Sequence, residues 1–125
     1  MEANQNRVVV AIVDSGLNVD DERLRGAAME GWHVTSQAMG HIALDGDFTD
    51  EVGHGTETAV GIRRFAPDAL LVAVKVLGAD HHVRADLIAA GIETATKRGV
   101  RIINVSLGCP DATKALLIRE VCAAA

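Results

Sequence analysis

At 125 residues the chain suits one compact domain with a real core and leaves little room for a second. Nearly half of it is hydrophobic (49%) but only 2% is aromatic, so the core has to be built from Val, Ile, Leu and Ala, the usual composition of parallel α/β sheets. A net charge of −5 with no block of Lys or Arg excludes nucleic acid and anionic membrane surfaces as expected partners, and two cysteines, Cys109 and Cys122, are too few for a disulfide framework.

The first element is the β-branched run Arg7–Val13, which stops at Asp14-Ser15-Gly16. This is the pattern of a buried strand that delivers Asp14 to its carboxyl end, and the apolar part is too short for a signal sequence or a membrane span. A cytoplasmic location and reduced thiols are therefore expected. Residues Asp20–Gly53 are irregular and polar, with one short candidate strand near Gly31–Thr35, and read mostly as loop. The acids Asp45, Asp47, Asp50 and Glu51 do not have the spacing of an EF-hand, so they predict a solvated acidic loop and no metal site.

From His54, residues Thr58, Ala59, Ile62 and Phe65 recur at helical spacing until Ala66-Pro67-Asp68 closes the segment, so His54 opens a short helix. Leu70–Leu77 is the next buried strand. Leu87, Ile88, Gly91, Ile92 and Ala95 mark an amphipathic helix with Asp86 as its expected cap and Gly99 as its stop. The turn before it carries His81-His82 beside Asp80, and adjacent residues on a turn seldom converge on one ion, so it reads as an exposed turn. Val100–Leu107 follows as a third strong strand. Pro110-Asp111 is expected to cap a last helix with Leu116, Leu117, Val121 and Ala124 on one face. Strands alternating with helices imply a doubly wound parallel sheet with helices on both faces.

In such sheets ligands bind beyond the carboxyl ends of the strands, where Asp14 and Ser106-Leu107-Gly108 both fall. His54 adds an imidazole at a helix N-terminus, where the dipole favours the neutral base form. A neutral histidine beside a buried aspartate is general-base equipment, although either residue alone would read as an ordinary loop or helix-end group.

Four segments then share one family's order. AIVDSGL (Ala11–Leu17) and GHGT (Gly53–Thr56) resemble the Asp and His motifs of subtilisin-like serine proteases, the subtilases of peptidase family S8. The stretch Ala66–Ala69 leading into Val72–Leu77 resembles that family's "APDA…VKVL" strand, and Ile102–Gly108 its "INxSLG" strand. The likeness runs from Arg7 to Ala125. It implies a doubly wound subtilisin-like α/β fold, present here as the first three or four strands and their helices, with residues 1–125 forming a partial catalytic domain.

By this resemblance Asp14 orients the imidazole, and His54 takes a proton from a serine hydroxyl and returns it to the leaving amine. Asp50 matches an acidic position often seen four residues before the histidine. Ser106, Leu107 and Gly108 match the segment that pairs with extended peptide substrate. Glu57-Thr58 departs from the His-Val common after HGT, and nothing in these residues resembles the oxyanion-hole asparagine or the GTSxA serine helix. Ser15 sits on the wrong side of the imidazole and Ser106 belongs to the pairing strand, so neither is the expected nucleophile. Cys109 reads as an ordinary thiol.

The implied function is a component of a subtilisin-like serine endopeptidase whose serine comes from outside this chain, which alone is expected to be inactive. A catalytically inactive pseudoprotease that binds extended peptides by strand addition is the alternative. A phosphoryl-accepting cluster of Asp14, Asp20 and Asp21 is disfavoured, because Gly16 stands where a second acid is wanted. The expected partners are a peptide or protein substrate and either a second copy or a complementing polypeptide carrying the serine half; no cofactor is expected. Within the resemblance, the Val100–Leu107 strand is central in the family and becomes an edge here, which predicts that something covers it.

Overall fold

The computed structural model describes residues 6–108 and 112–125, with side chains described outside 112–115. Five strands form one sheet: β1 (Val9–Asp14), β2 (Ala28–Ser36), β3 (Ile42–Asp45), β4 (Leu70–Lys75) and β5 (Ile102–Val105), in the order β3-β2-β4-β1-β5. All neighbours are parallel except β3, which runs antiparallel to β2 as the second arm of a hairpin. Three helices accompany them: α1 (His54–Phe65), α2 (Ala85–Lys97) and α3 (Ala112–Ala124).

Alternation along β1 divides the core. Val10 and Ile12 face α1 together with Leu17, Leu24, Ala59, Val60 and Leu71. Ala11 and Val13 face the opposite way, into Trp32, Val34, Val72, Val74 and, from α2, Ile88, Ile92 and Ala95. With both faces covered, β1 and β4 need apolar residues at nearly every position, which is why they read as continuous β-branched runs. The fold is thus the expected α/β sheet with helices on both sides.

Several local expectations are revised. The sheet has five strands among the described residues against the expected three or four, because Ile42–Asp45 lies inside the segment read as loop, and the candidate strand near Gly31–Thr35 extends over Ala28–Ser36. The pairing strand is shorter than Val100–Leu107 and only partly buried, because β1 covers a single side of it. At the start of α2, Arg84 occupies the N-cap position without a side-chain cap bond. Asp86 lies in the first turn instead, its carboxylate held by Arg84 Nη2 at 2.6 Å. The expected cap Pro110-Asp111 lies outside the described residues. In α3 the inward side chains are Ile118 and Val121, whereas Leu116 and Leu117 are exposed. Phe65 is exposed too, because α1 packs through Thr56, Ala59 and Val60.

Candidate active site

Asp14 ends β1 with none of its surface exposed, and its Oδ1 accepts from Ser15 N at 2.7 Å. His54 opens α1 directly across from it. Its Nδ1 lies 2.9 Å from each oxygen of the Asp14 carboxylate. Carboxylate oxygens accept, so Nδ1 carries a proton, which in the neutral ring leaves Nε2 as the acceptor nitrogen. The imidazole is 51% exposed while its partner is fully buried, which turns the basic edge toward solvent. A buried acid thereby fixes the tautomer and orientation of an accessible base.

Two glycines permit this approach. Gly16 has φ +111°, and a Cβ there would collide with the carbonyl of Phe48, whose oxygen also receives Leu17 N at 2.9 Å. A Cβ on Gly55 would collide with the carbonyl of Gly16. Each glycine lets one motif's backbone touch its neighbour.

Asp50 ties the two motifs together. Its Oδ1 accepts from Ser15 Oγ (2.8 Å), Val52 N (3.0 Å) and Gly53 N (2.7 Å), and its Oδ2 accepts from Thr56 N (3.0 Å) and the Thr56 hydroxyl. Ser15 Oγ in turn accepts from Gly55 N at 2.9 Å, and Thr56 Oγ1 accepts from Asn18 N at 2.9 Å. Burial works against the Asp50 charge, but hydrogen bonds led by those from Thr56, Gly53 and Ser15 outweigh it and hold the carboxyl at about 2. Ser15, wholly buried, is fully occupied by this network and is in no position to act as a nucleophile.

Lys75, at the end of β4, is beside Asp14 in the parallel register and 2% exposed. Its Nζ donates to Thr49 O at 2.6 Å and to Glu51 Oε1 at 2.8 Å, so it clamps the segment that carries Asp50. The acids expected to be a solvated loop therefore divide: Asp50 and Glu51 brace the site, while Asp45 and Asp47 cap local turns. Lys75 lies within the Val72–Leu77 motif. Its signal was a lone charge in an apolar strand, since a buried lysine requires partners.

Glu57, one of the departures from the family pattern, pairs in a forked geometry with Arg23 at 3.1 and 2.6 Å, and Arg23 also holds Asp21 at 2.8 Å. This joins the 3₁₀ turn Glu22–Leu24 to the first turn of α1. Hydrogen bonding to Arg23 brings the Asp21 carboxyl down to about 2 and lowers that of Glu57.

Ser106, Leu107 and Gly108 follow β5 as irregular chain, one step beyond the Val13↔Val105 pair and hence at the same sheet end as Asp14. Ser106 is exposed and donates to Asn104 Oδ1 at 2.8 Å. His81 and His82 are exposed, and among the described residues no group of three or more His, Cys, Asp or Glu could hold a metal ion.

Comparison with known proteins decides the family. The model of the subtilase family of S8 peptidases matches residues 5–121. The chain belongs to the subtilase family. Its subtilase relatives include "Subtilisin BL" of Lederbergia lenta, 34% identical over 119 residues that cover 87% of this chain and 40% of that protein. Another is an "Intracellular serine protease" of Paenibacillus polymyxa, 33% identical over 120 residues covering 86% of this chain and 36% of that one. Among solved structures, a lanthipeptide protease superposes with a TM-score of 0.67 at 30% identity, over 91% of this chain and 33% of that chain. A cold-adapted subtilisin-like serine proteinase shares the fold, with a TM-score of 0.65 at 22% identity over 94% of this chain and 45% of that one. The subtilase segment seen here thus spans about 40% of the length of such a relative.

Proposed function

We propose that residues 1–125 supply the acid and base of a subtilisin-like serine endopeptidase, and that the nucleophilic serine is supplied by polypeptide outside these residues. The observation that carries this reading is the buried Asp14 carboxylate held 2.9 Å from His54 Nδ1, with the rest of the ring accessible. In the reaction His54 Nε2 takes the serine Oγ proton as Oγ bonds to the scissile carbonyl carbon. The same proton then passes to the amine as the C–N bond breaks, and Asp14 stabilises the imidazolium throughout. Ser106–Gly108 would seat extended substrate by main-chain pairing, and a cytoplasmic setting fits the reading.

The test is peptide hydrolysis by the complete protein, including whatever carries the serine. His54→Ala is expected to abolish turnover; the reference magnitude is that known for subtilisin, about 10⁶-fold in kcat. Asp14→Asn should reduce kcat by about 10⁴-fold with little change in KM, because it stabilises the wrong tautomer. Turnover that stays near the native rate after either change would refute the reading.

The open side of β5 favours a second possibility, an inactive protein that pairs with extended segments. Ile102 is 48% exposed on a strand that, among the described residues, is bonded only to β1. A complementing polypeptide or another copy covering this edge fits both possibilities. Peptide binding without hydrolysis by the complete protein would favour the inactive form.

A further inference from the structure

Among the described residues the sheet has a second open edge, β3, on the side opposite β5. It carries no lysine, proline or bulge to discourage pairing, and Ile42 and Leu44 are 42% and 43% exposed. Leu44 lies directly across from Val34, which is 1% exposed, so these two residues are the uncovered rim of the apolar face that β2 contributes to the core.

Hydrogen-bond phase determines which backbone groups of β3 are free. Gln37 N donates to His41 O at 2.7 Å, and Ala43 O accepts from the β2 side through Thr35 Oγ1 at 3.3 Å. His41, Ala43 and Asp45 therefore turn their backbone groups toward β2, and Ile42 and Leu44 turn theirs to the open edge. The sequence around them, Gly40-His41-Ile42-Ala43-Leu44-Asp45-Gly46, is self-complementary about Ala43. Antiparallel pairing with an identical strand about a two-fold axis at Ala43 places Ile42 opposite Leu44 of the second copy and Leu44 opposite its Ile42. Those are the residues with outward amides and carbonyls, so each pair exchanges both its backbone bonds. On the apolar face Ile42 then meets Leu44, and on the other face His41 meets the Asp45 carboxylate of the second copy.

We infer that β3 is a homodimerisation strand, joining two copies through their Ile42–Leu44 edges into one continuous sheet centred on Ala43. Shifting the register by one residue would set inward-facing groups against the partner, and shifting it by two would separate Ile42 from Leu44 and His41 from Asp45, so only this register satisfies phase, apolar contact and the His41–Asp45 polar match together. The interface lies on the opposite edge from β5 and is independent of the peptidase reading.

The test is analytical ultracentrifugation of the protein with a cross-linking assay. A reversible dimer is expected at micromolar concentration, weakened about tenfold or more by Ile42→Lys and left intact by Ile102→Lys at the other edge. In a Cys109→Ser, Cys122→Ser background, Ala43→Cys should oxidise readily to a covalent dimer, because a non-hydrogen-bonded pair brings the two Cβ atoms to about 4.5–5 Å. Met39→Cys at the exposed hairpin tip should not. A monomer at all concentrations, or a dimer indifferent to Ile42→Lys, would overturn the inference, as would cross-linking at Met39→Cys in preference to Ala43→Cys. Unchanged far-ultraviolet circular dichroism of Ile42→Lys guards against misfolding as the cause.

Discussion

At the scale of single residues the site depends on Asp50 as much as on the buried Asp14 and the accessible His54. One carboxylate satisfies donors from Ser15, Val52, Gly53 and Thr56, and through Ser15 it fixes the position of Gly55 beside His54. Asp50→Ala leaves several of these groups unpaired and is expected to cost on the order of 3 kcal/mol, read from urea denaturation midpoints. The pH dependence has a definite sign. The Asp50 carboxyl falls from an ordinary 3.8 to about 2 in the folded protein. Its contribution is complete above the higher value and is lost as pH drops through the lower one. Asp21, Asp47 and Glu57 are lowered too and add in the same direction. Denaturation midpoints measured from about pH 5 to about pH 2 should fall for the native sequence, and less steeply for Asp50→Asn. Gly55→Ala tests the close approach of the motifs, because the added methyl has to displace the Gly16 carbonyl. It should unfold the site or the protein, seen as loss of the His54–Asp14 hydrogen-bonded proton in NMR spectra.

At the scale of elements, clamps of unequal worth hold the acidic segment and α1 against the sheet. Lys75 is buried and fixes Thr49 and Glu51, whereas Arg23 and Glu57 are exposed at 48% and 63%. The exposed pair is expected to contribute less than about 1 kcal/mol in a double-mutant cycle. Lys75→Met should instead accelerate amide hydrogen exchange at Val52 and Gly53, the backbone groups bound by Asp50. The elements legible in the sequence were those whose pattern reflects complete burial or helical period. β1 and β4 are apolar on both faces, and α1 and α2 each present one buried stripe. β3 is hard to read because an edge strand of four residues, three of them exposed, is too short for its alternation to stand out from a polar segment. Likewise the roles of Asp50, Glu51 and Lys75 depend on contacts between distant segments, so residue type marked them only as charges. Asp14 and His54 were legible because their glycine-flanked motifs record the local geometry that brings them together.

At the scale of the whole molecule, the sheet formed by the described residues is covered on both faces and open at both edges, at β3 and at β5. The β5 edge lies beside the strand that carries Asp14, so its covering bears on the chemistry; the β3 edge is remote in strand order and bears on assembly. The chain belongs to the subtilase family and spans 40% of the length of a relative such as Subtilisin BL, and in the proposed reading Asp14 and His54 act on a serine outside residues 1–125. A fluorophosphonate probe applied to the complete protein, followed by mapping of the labelled residue, tests this most directly. The account predicts a labelled serine outside residues 1–125 and labelling that disappears with His54→Ala. Label on Ser15, Ser106 or any other serine within residues 1–125, or labelling indifferent to His54→Ala, would contradict it.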